Sequence, residues 1–243
     1  MGDREVTNES VVVCERLSRV YDGDGVPVRA LNDVDLIVRR GEFLSLAGPS
    51  GSGKSTLLNL IGALDRPTGG TVTVDGLRVN DLRESELADM RLHKIGFVFQ
   101  AYNLVPVLSA QENVEFIMQL QGVGARARSE RARAMCESLG IGDLLNRRPG
   151  ELSGGQQQRV AVARAIVTHP VLLLADEPSA NLDSKATEEL LDLLERINVE
   201  HHVTIITATH DPMVMRHAKR RIQLKDGEIV GDDTSTTSTL ERA

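Results

Sequence analysis

Tryptophan is absent from this chain, and aromatic side chains make up only 2% of its 243 residues. An aromatic placed near a motif is therefore a candidate for a specific contact and not filler. Cysteine is nearly absent too. Cys14 and Cys136 lie far apart in sequence, which excludes a disulfide framework and reads as buried free thiols in a reducing compartment. No apolar stretch approaches the ~20 residues of a membrane helix. Met1-Gly2-Asp3-Arg4-Glu5 is charged and carries no apolar signal core, so the expected location is the cytosol. Positive charge is in deficit, with a net charge of −7. The nearest basic cluster, Arg126, Arg128, Arg131 and Arg133, is interrupted by Glu130 and Glu137. That reads as a solvated helix face and argues against a nucleic-acid surface.

What is present is glycine in two loops. Gly48-Pro49-Ser50-Gly51-Ser52-Gly53-Lys54-Ser55-Thr56 fits the pattern G-x-x-x-x-G-K-[ST]. Glu42-Phe43-Leu44-Ser45-Leu46-Ala47 before it reads as a buried strand, and the apolar run Thr56 to Leu64 after it reads as a helix. Strand, glycine loop and helix are what a phosphate cradle requires. Glycines bring backbone N–H groups to phosphate oxygens, and the helix N-terminus favours an anion. Lys54 adds a point charge, and Ser55 offers a hydroxyl to Mg²⁺.

Downstream, Val171-Leu172-Leu173-Leu174-Ala175 is an apolar run typical of a buried parallel strand, and it ends in Asp176-Glu177-Pro178. Successive strand residues point to opposite sides, so the two acids are expected to do different work. Asp176 is placed to hold Mg²⁺ through water, and Glu177 to polarise an attacking water. His210-Asp211-Pro212 follows the strand Val203 to Thr209. Its place at a strand's carboxyl end, where ligands bind in open α/β sheets, makes His210 a catalytic candidate.

The second glycine loop is Leu152-Ser153-Gly154-Gly155-Gln156, followed by the helical run Gln157 to Ala165. Ser153 would serve as an ordinary N-cap, but a cap alone leaves the glycine pair unexplained. Taken together, these segments closely resemble the ATP-binding subunit of ABC transporters, over nearly the whole chain from about Val11 to Val230. The resemblance implies an ATPase using ATP and Mg²⁺. Lys54, Glu177 and His210 would be catalytic, Gly48 to Thr56 would bind ATP, and Ser55, Gln100 and Asp176 would reach the metal. Tyr21 would stack on adenine. Leu152 to Gln156 would cap the γ-phosphate held by the opposite subunit, and Asn181, Leu182 and Asp183 would lie across the dimer interface.

A narrower likeness rests on Phe97-Val98-Phe99-Gln100-Ala101-Tyr102-Asn103-Leu104-Val105-Pro106 and Glu112-Asn113-Val114. These resemble the lipoprotein-release and macrolide-export (LolD/MacB-type) group. Ser179-Ala180 and Tyr102 depart from it, where the group more often has Thr-Gly and Phe. The implied partners are a second ATP-binding subunit, an identical copy by preference, and an integral membrane permease, with no nucleic acid. The protein would then sit on the cytoplasmic side of the cell membrane, peripheral through the permease. Export or lipid and lipoprotein extraction is the expected work. A regulatory or mechanotransmission subunit that moves no cargo would use the same engine, and that alternative stays open.

The expected fold is α/β: a P-loop NTPase core with a mainly parallel sheet, an antiparallel β subdomain and an inserted α-helical subdomain. The β subdomain is read from Val11 to Glu15 and the period-two stretch Thr71 to Val74. One domain is expected over 1–230, with the helical part at about 101–150 and a disordered tail over 231–243. Asp22 to Pro27 reads as a turn, and Asp226-Gly227 as a hairpin turn. Leu104, Val105, Val107 and Leu108 are candidates either for permease contact or for the subdomain's own core.

Overall fold

Short runs such as Phe43–Ala47, buried along their whole length, need cover on both faces. The computed structural model, which describes residues 9–22 and 25–234, supplies that cover. In chain order the strands are β1 (Ser10–Tyr21), β2 (Val28–Arg39), β3 (Phe43–Ala47), β4 (Gly69–Val74), β5 (Leu77–Arg78), β6 (Ile95–Phe99), β7 (Leu172–Asp176), β8 (Thr204–Thr209), β9 (Arg220–Lys225) and β10 (Glu228–Thr234). The helices are α1 (Lys54–Ile61), α2 (Glu84–Lys94), α3 (Ala110–Leu120), α4 (Ala125–Ser138), α5 (Gly154–Ile166), α6 (Ser184–His201) and α7 (Pro212–His217).

Two sheets result. One has six strands in the order β10-β9-β3-β8-β7-β6, parallel except for the edge strand β10. The other is antiparallel, in the order β2-β1-β4-β5. Alternation along the parallel strands divides the core. Leu44, Leu46, Leu172, Leu174 and Ile206 face α1 and the antiparallel sheet. Phe43, Leu173, Ala175 and Ile205 face the layer of α3, α5 and α6. Each fully buried leucine contributes about 1.5–3 kcal/mol relative to exposure, so a register slip in any central strand would be severely penalised. Cys14 and Cys136 fall one in each cluster, and burial pushes both thiols up to about 12.

The mixed α/β architecture expected from the motifs is present. Residues 101–150 hold α3, α4 and two 3-10 turns. Serine caps begin two of the helices. Ser109 accepts from Glu112 N at the start of α3, and Ser153 accepts from Gln156 N at the start of α5, each in a reciprocal capping box. On α4, Arg126 pairs with Glu130, and Arg128 with Glu115 of α3. The hairpin at Asp226-Gly227 has both residues at positive φ, 49° and 82°, the geometry of a tight two-residue turn.

One expectation needs adjustment. The chain does not lose structure at residue 231, because β10 continues to Thr234. Pairing with the edge of β9 and the Arg220–Asp232 ion pair hold those four residues. The remainder of the expected tail, 235–243, lies outside the described residues, as do Gly23 and Asp24 of the expected turn.

Candidate functional site

The parallel strands β3, β8 and β7 are neighbours, so the loops leaving their carboxyl ends meet at one edge. The loop after β3 is the glycine loop. Gly48, Gly51 and Gly53 all have positive φ, and at Gly53 an added Cβ would stand 2.6 Å from Ala30 O. Only glycine lets β2 and the start of α1 approach this closely. Lys54 is buried, with 7% exposure. Its ammonium donates to Gly48 O at 2.8 Å and Pro49 O at 3.0 Å, which leaves one of its three N–H donors for a ligand.

Asp176 closes β7. The Ser55 hydroxyl donates to Asp176 Oδ1 at 3.0 Å. Burial raises the Asp176 pKa above the usual carboxylate range, and the charge of Glu177 raises it further, against the pull of Ser55 and Lys54. A hydroxyl and a carboxylate form a hard-oxygen donor pair, and a desolvated carboxylate beside a second acid is short of positive charge. Both features fit Mg²⁺, which prefers oxygen ligands and takes the rest of its coordination from water and phosphate.

Glu177 does not follow the strand alternation expected for it. β7 ends at Asp176, and Glu177 turns off in the left-handed region at φ 46° while its N–H donates to Ala208 O at 2.9 Å. That turn, and not the pleat, separates the two acids. A non-glycine residue at positive φ is costly and is tolerated where the surroundings over-determine it. His210 Nδ1 lies 2.8 Å from Glu177 Oε1. With Glu177 ionised only an N–H can face it there, so the ring's other nitrogen stays available. Glu177 is 17% exposed and His210 71%. Ser179 donates to Asp211 Oδ2 at 3.2 Å, which ties the two loops together a second time.

Lys54, Ser55, Glu177 and His210 line a cleft of about 840 Å³ together with Tyr21 and Gln100, and Asp176 reaches it through its hydrogen bond with Ser55. The second glycine loop lies elsewhere. Ser153, Gly154, Gly155 and Gln156 line a separate cleft of about 290 Å³ together with Asn181, Leu182 and Asp183, and the two clefts have no lining residue in common. Asp183 caps α6 by accepting from Ala186 N at 2.8 Å, and Asn181 donates to Gln100 O at 2.8 Å. Leu152 is buried against the second core cluster.

Residues 31–180 match the family described as ABC transporter. The chain belongs to the ABC transporter family. It is 45% identical over 223 residues to the ABC transporter ATP-binding protein MJ0796 of Methanocaldococcus jannaschii, covering 90% of this chain and 95% of the relative. It is 48% identical to the macrolide export ATP-binding/permease protein MacB 1/2 of Paracoccus denitrificans over 227 residues, but spans only 34% of that longer protein. A solved dimer of the cassette MJ0796, in a post-hydrolysis state bound to ADP and Pi, superposes with a TM-score of 0.85 at 43% identity, over 92% of this chain and 98% of that one. The chain is thus an ATPase cassette of this family, related to the MacB type.

Several residues of the cassette's clefts carry no local motif. Val28, Arg29 and Ala30 of β2 line the larger cleft beside Tyr21, brought there by sheet pairing alone. Arg164 of α5 donates to the carbonyls of Tyr102 at 2.8 Å and Asn103 at 2.5 Å, which fastens the stretch after Gln100 to the helix after Ser153. A third cavity, an apolar groove of about 430 Å³, is lined by Leu64, Leu92, Phe97, Phe99, Phe116 and Ile117 among others. Of Leu104, Val105, Val107 and Leu108, only Val105 lines it. Leu104 packs on the second core cluster, and Val107 is 73% exposed away from the groove. Among the described residues no helix is long and apolar enough to cross a membrane.

Proposed function

We propose that this cassette works as one half of a head-to-tail dimer that closes over two ATP molecules and drives a membrane permease of the export or extraction type. One observation carries the reading. The phosphate loop and the Ser153 loop open into different clefts of the same protomer, so one copy cannot aim both at one phosphate. Two copies about a two-fold axis can.

Within each composite site the geometry supports the following roles. Gly48 to Thr56 hold the phosphates, Lys54 neutralises the β- and γ-oxygens, and Tyr21 receives the base. Ser55, Asp176 and Gln100 would hold Mg²⁺, which when bound offsets the charge of the phosphates. Glu177 accepts hydrogen bonding from water and aims its oxygen at the γ-phosphorus. His210 keeps the Glu177 carboxylate oriented through its Nδ1–H. Water adds to phosphorus as the bond to the β–γ bridging oxygen breaks, leaving ADP and inorganic phosphate. From the partner, Ser153 and the N–H groups of Gly154 and Gly155 complete the shell around the γ-phosphate. Loss of that shared group releases the dimer. Inverting such an equilibrium from 1:99 to 99:1 takes about 5.5 kcal/mol of differential binding, which two shared nucleotides supply. The apolar groove beside Phe97 and Phe116 is the docking place for the permease, which would hold the cassette at the cytoplasmic face of the membrane.

The test is a sizing column. Glu177→Gln protein with MgATP is expected to elute as a long-lived dimer, and with MgADP as a monomer. Persistent monomer in MgATP would overturn the reading.

A further inference from the structure

Tyr21 is one of very few aromatics in the chain, and its ring is held from two directions. The Arg19 guanidinium carbon sits 4.5 Å from the ring centroid, within the range of cation–π attraction. The Tyr21 hydroxyl donates to Asp65 Oδ2 at 2.9 Å. Asp65 also accepts from Arg19 Nε at 2.9 Å, and its Oδ1 lies 2.8 Å from an Arg19 terminal nitrogen. The same carboxylate takes the Arg66 N–H at 2.7 Å. Arg19 and Asp65 are both largely shielded from solvent, which strengthens a bidentate charged pair.

The partners come from distant parts of the chain. Arg19 and Tyr21 lie at the end of β1 in the antiparallel sheet. Asp65 follows α1, the helix that begins in the phosphate loop. The Asp65 N–H is itself anchored to Asn59 O of that helix. The pair therefore ties the far end of the phosphate helix to the end of β1. Tyr21 lines the nucleotide cleft, whereas neither Arg19 nor Asp65 does. Arg19 thus covers one face of the ring without itself bordering the cleft.

We infer that Arg19 and Asp65 are positioning residues for the purine base: they clamp the Tyr21 ring as a one-sided platform at a fixed reach from the phosphate loop. The clamp rests on the reading of Tyr21 as the base contact and goes beyond it, because it assigns the work to two residues outside every nucleotide motif. A ring held in advance spares the cost of ordering it when the base arrives. Releasing it should weaken the base's contribution and leave the phosphate contribution intact.

The experiment measures binding of MgATP and of magnesium tripolyphosphate, which has no base, to the full chain and to Arg19→Met, Asp65→Asn and Tyr21→Ala. Arg19→Met and Asp65→Asn are each expected to weaken MgATP by about 5–10-fold, or up to about 1.4 kcal/mol, with tripolyphosphate affinity within twofold of the parent. Steady-state turnover should show the same loss in KM with kcat held at saturating ATP. Equal losses for both ligands would mean that the pair only supports the fold, and the clamp would be wrong. Unchanged ATP affinity in Arg19→Met and Asp65→Asn, with a loss in Tyr21→Ala, would overturn the clamp and leave the base contact standing. Unchanged ATP affinity in all three would overturn the base contact as well.

Discussion

Ser55 and Asp176 are 121 positions apart, yet the hydroxyl of one donates to the carboxylate of the other at 3.0 Å. The first lies in the first turn of α1 and the second ends β7, so this contact joins the phosphate loop to the acidic end of the sheet. The buried Asp176 carboxylate also sets a trade between stability and activity. Burial and Glu177 raise the Asp176 pKa in the fold above its unfolded value. The proton is then bound more tightly in the folded state, so the contribution of Asp176 to stability is greatest below the unfolded pKa and is lost as pH rises through the folded one. Asp176→Asn keeps the acceptor for Ser55 and removes the buried charge. The nucleotide-free variant is expected to melt above the parent at pH 7, with the difference shrinking as pH falls through the folded pKa of Asp176. Its Mg²⁺-dependent ATP hydrolysis should be lost. Scanning calorimetry at pH 7 and pH 4, beside a phosphate-release assay, checks both halves.

The backbone of Glu177 makes a separate prediction. At φ 46° an alanine keeps the strain of a Cβ, about 1–2 kcal/mol for an L-residue in this region, and a glycine relieves it. Glu177→Gly should therefore be more stable than Glu177→Ala in urea by about 1 kcal/mol. Neither should turn over ATP. Equal midpoints would show that the surroundings, and not the Cβ, set the cost of this turn.

His210 lines the large cleft and meets Glu177 there. Replacing the ring by alanine removes the N–H that orients the carboxylate and leaves the phosphate loop alone. His210→Ala is expected to lower kcat by about 100-fold, in the usual range for a positioned proton-handling group. ATP affinity should stay within a few-fold. A large loss of ATP affinity instead would place His210 in binding.

Composite sites can complement each other. Lys54→Ala should disable the phosphate loop of its own protomer, and Ser153→Arg should disable the site it offers to its partner. Each variant alone is expected to be inactive. An equimolar mixture forms mixed dimers in which one of two sites has both halves intact. Random pairing of two-fold subunits predicts roughly a quarter of parent activity. An inactive mixture would exclude sites shared in this way.

The apolar groove gives a partner test. Phe116 is 38% exposed on α3 and lines the groove, so Phe116→Asp should cost little folding stability. Basal ATPase activity of the isolated cassette is expected to stay near the parent. Co-purification with the cognate permease should be lost, because a charge in an apolar groove must be desolvated on docking. Retained co-purification would move the docking surface elsewhere.

What the sequence determined by itself is local. The positive φ angles of the glycine loop, the serine caps of α3 and α5 and the turn at Asp226-Gly227 each depend largely on neighbours within a few residues. For that reason the two glycine loops could be placed directly from order and spacing. Tertiary structure decided what depends on distant partners. Sheet order brought Ser55 to Asp176 and His210 to Glu177. Edge pairing with β9 extended β10 through a stretch whose composition reads as disordered. The left-handed turn at Glu177 and the clasp of Arg19 and Asp65 on Tyr21 carry no sequence signal, because their residue types are ordinary and their meaning lies in what the fold sets beside them.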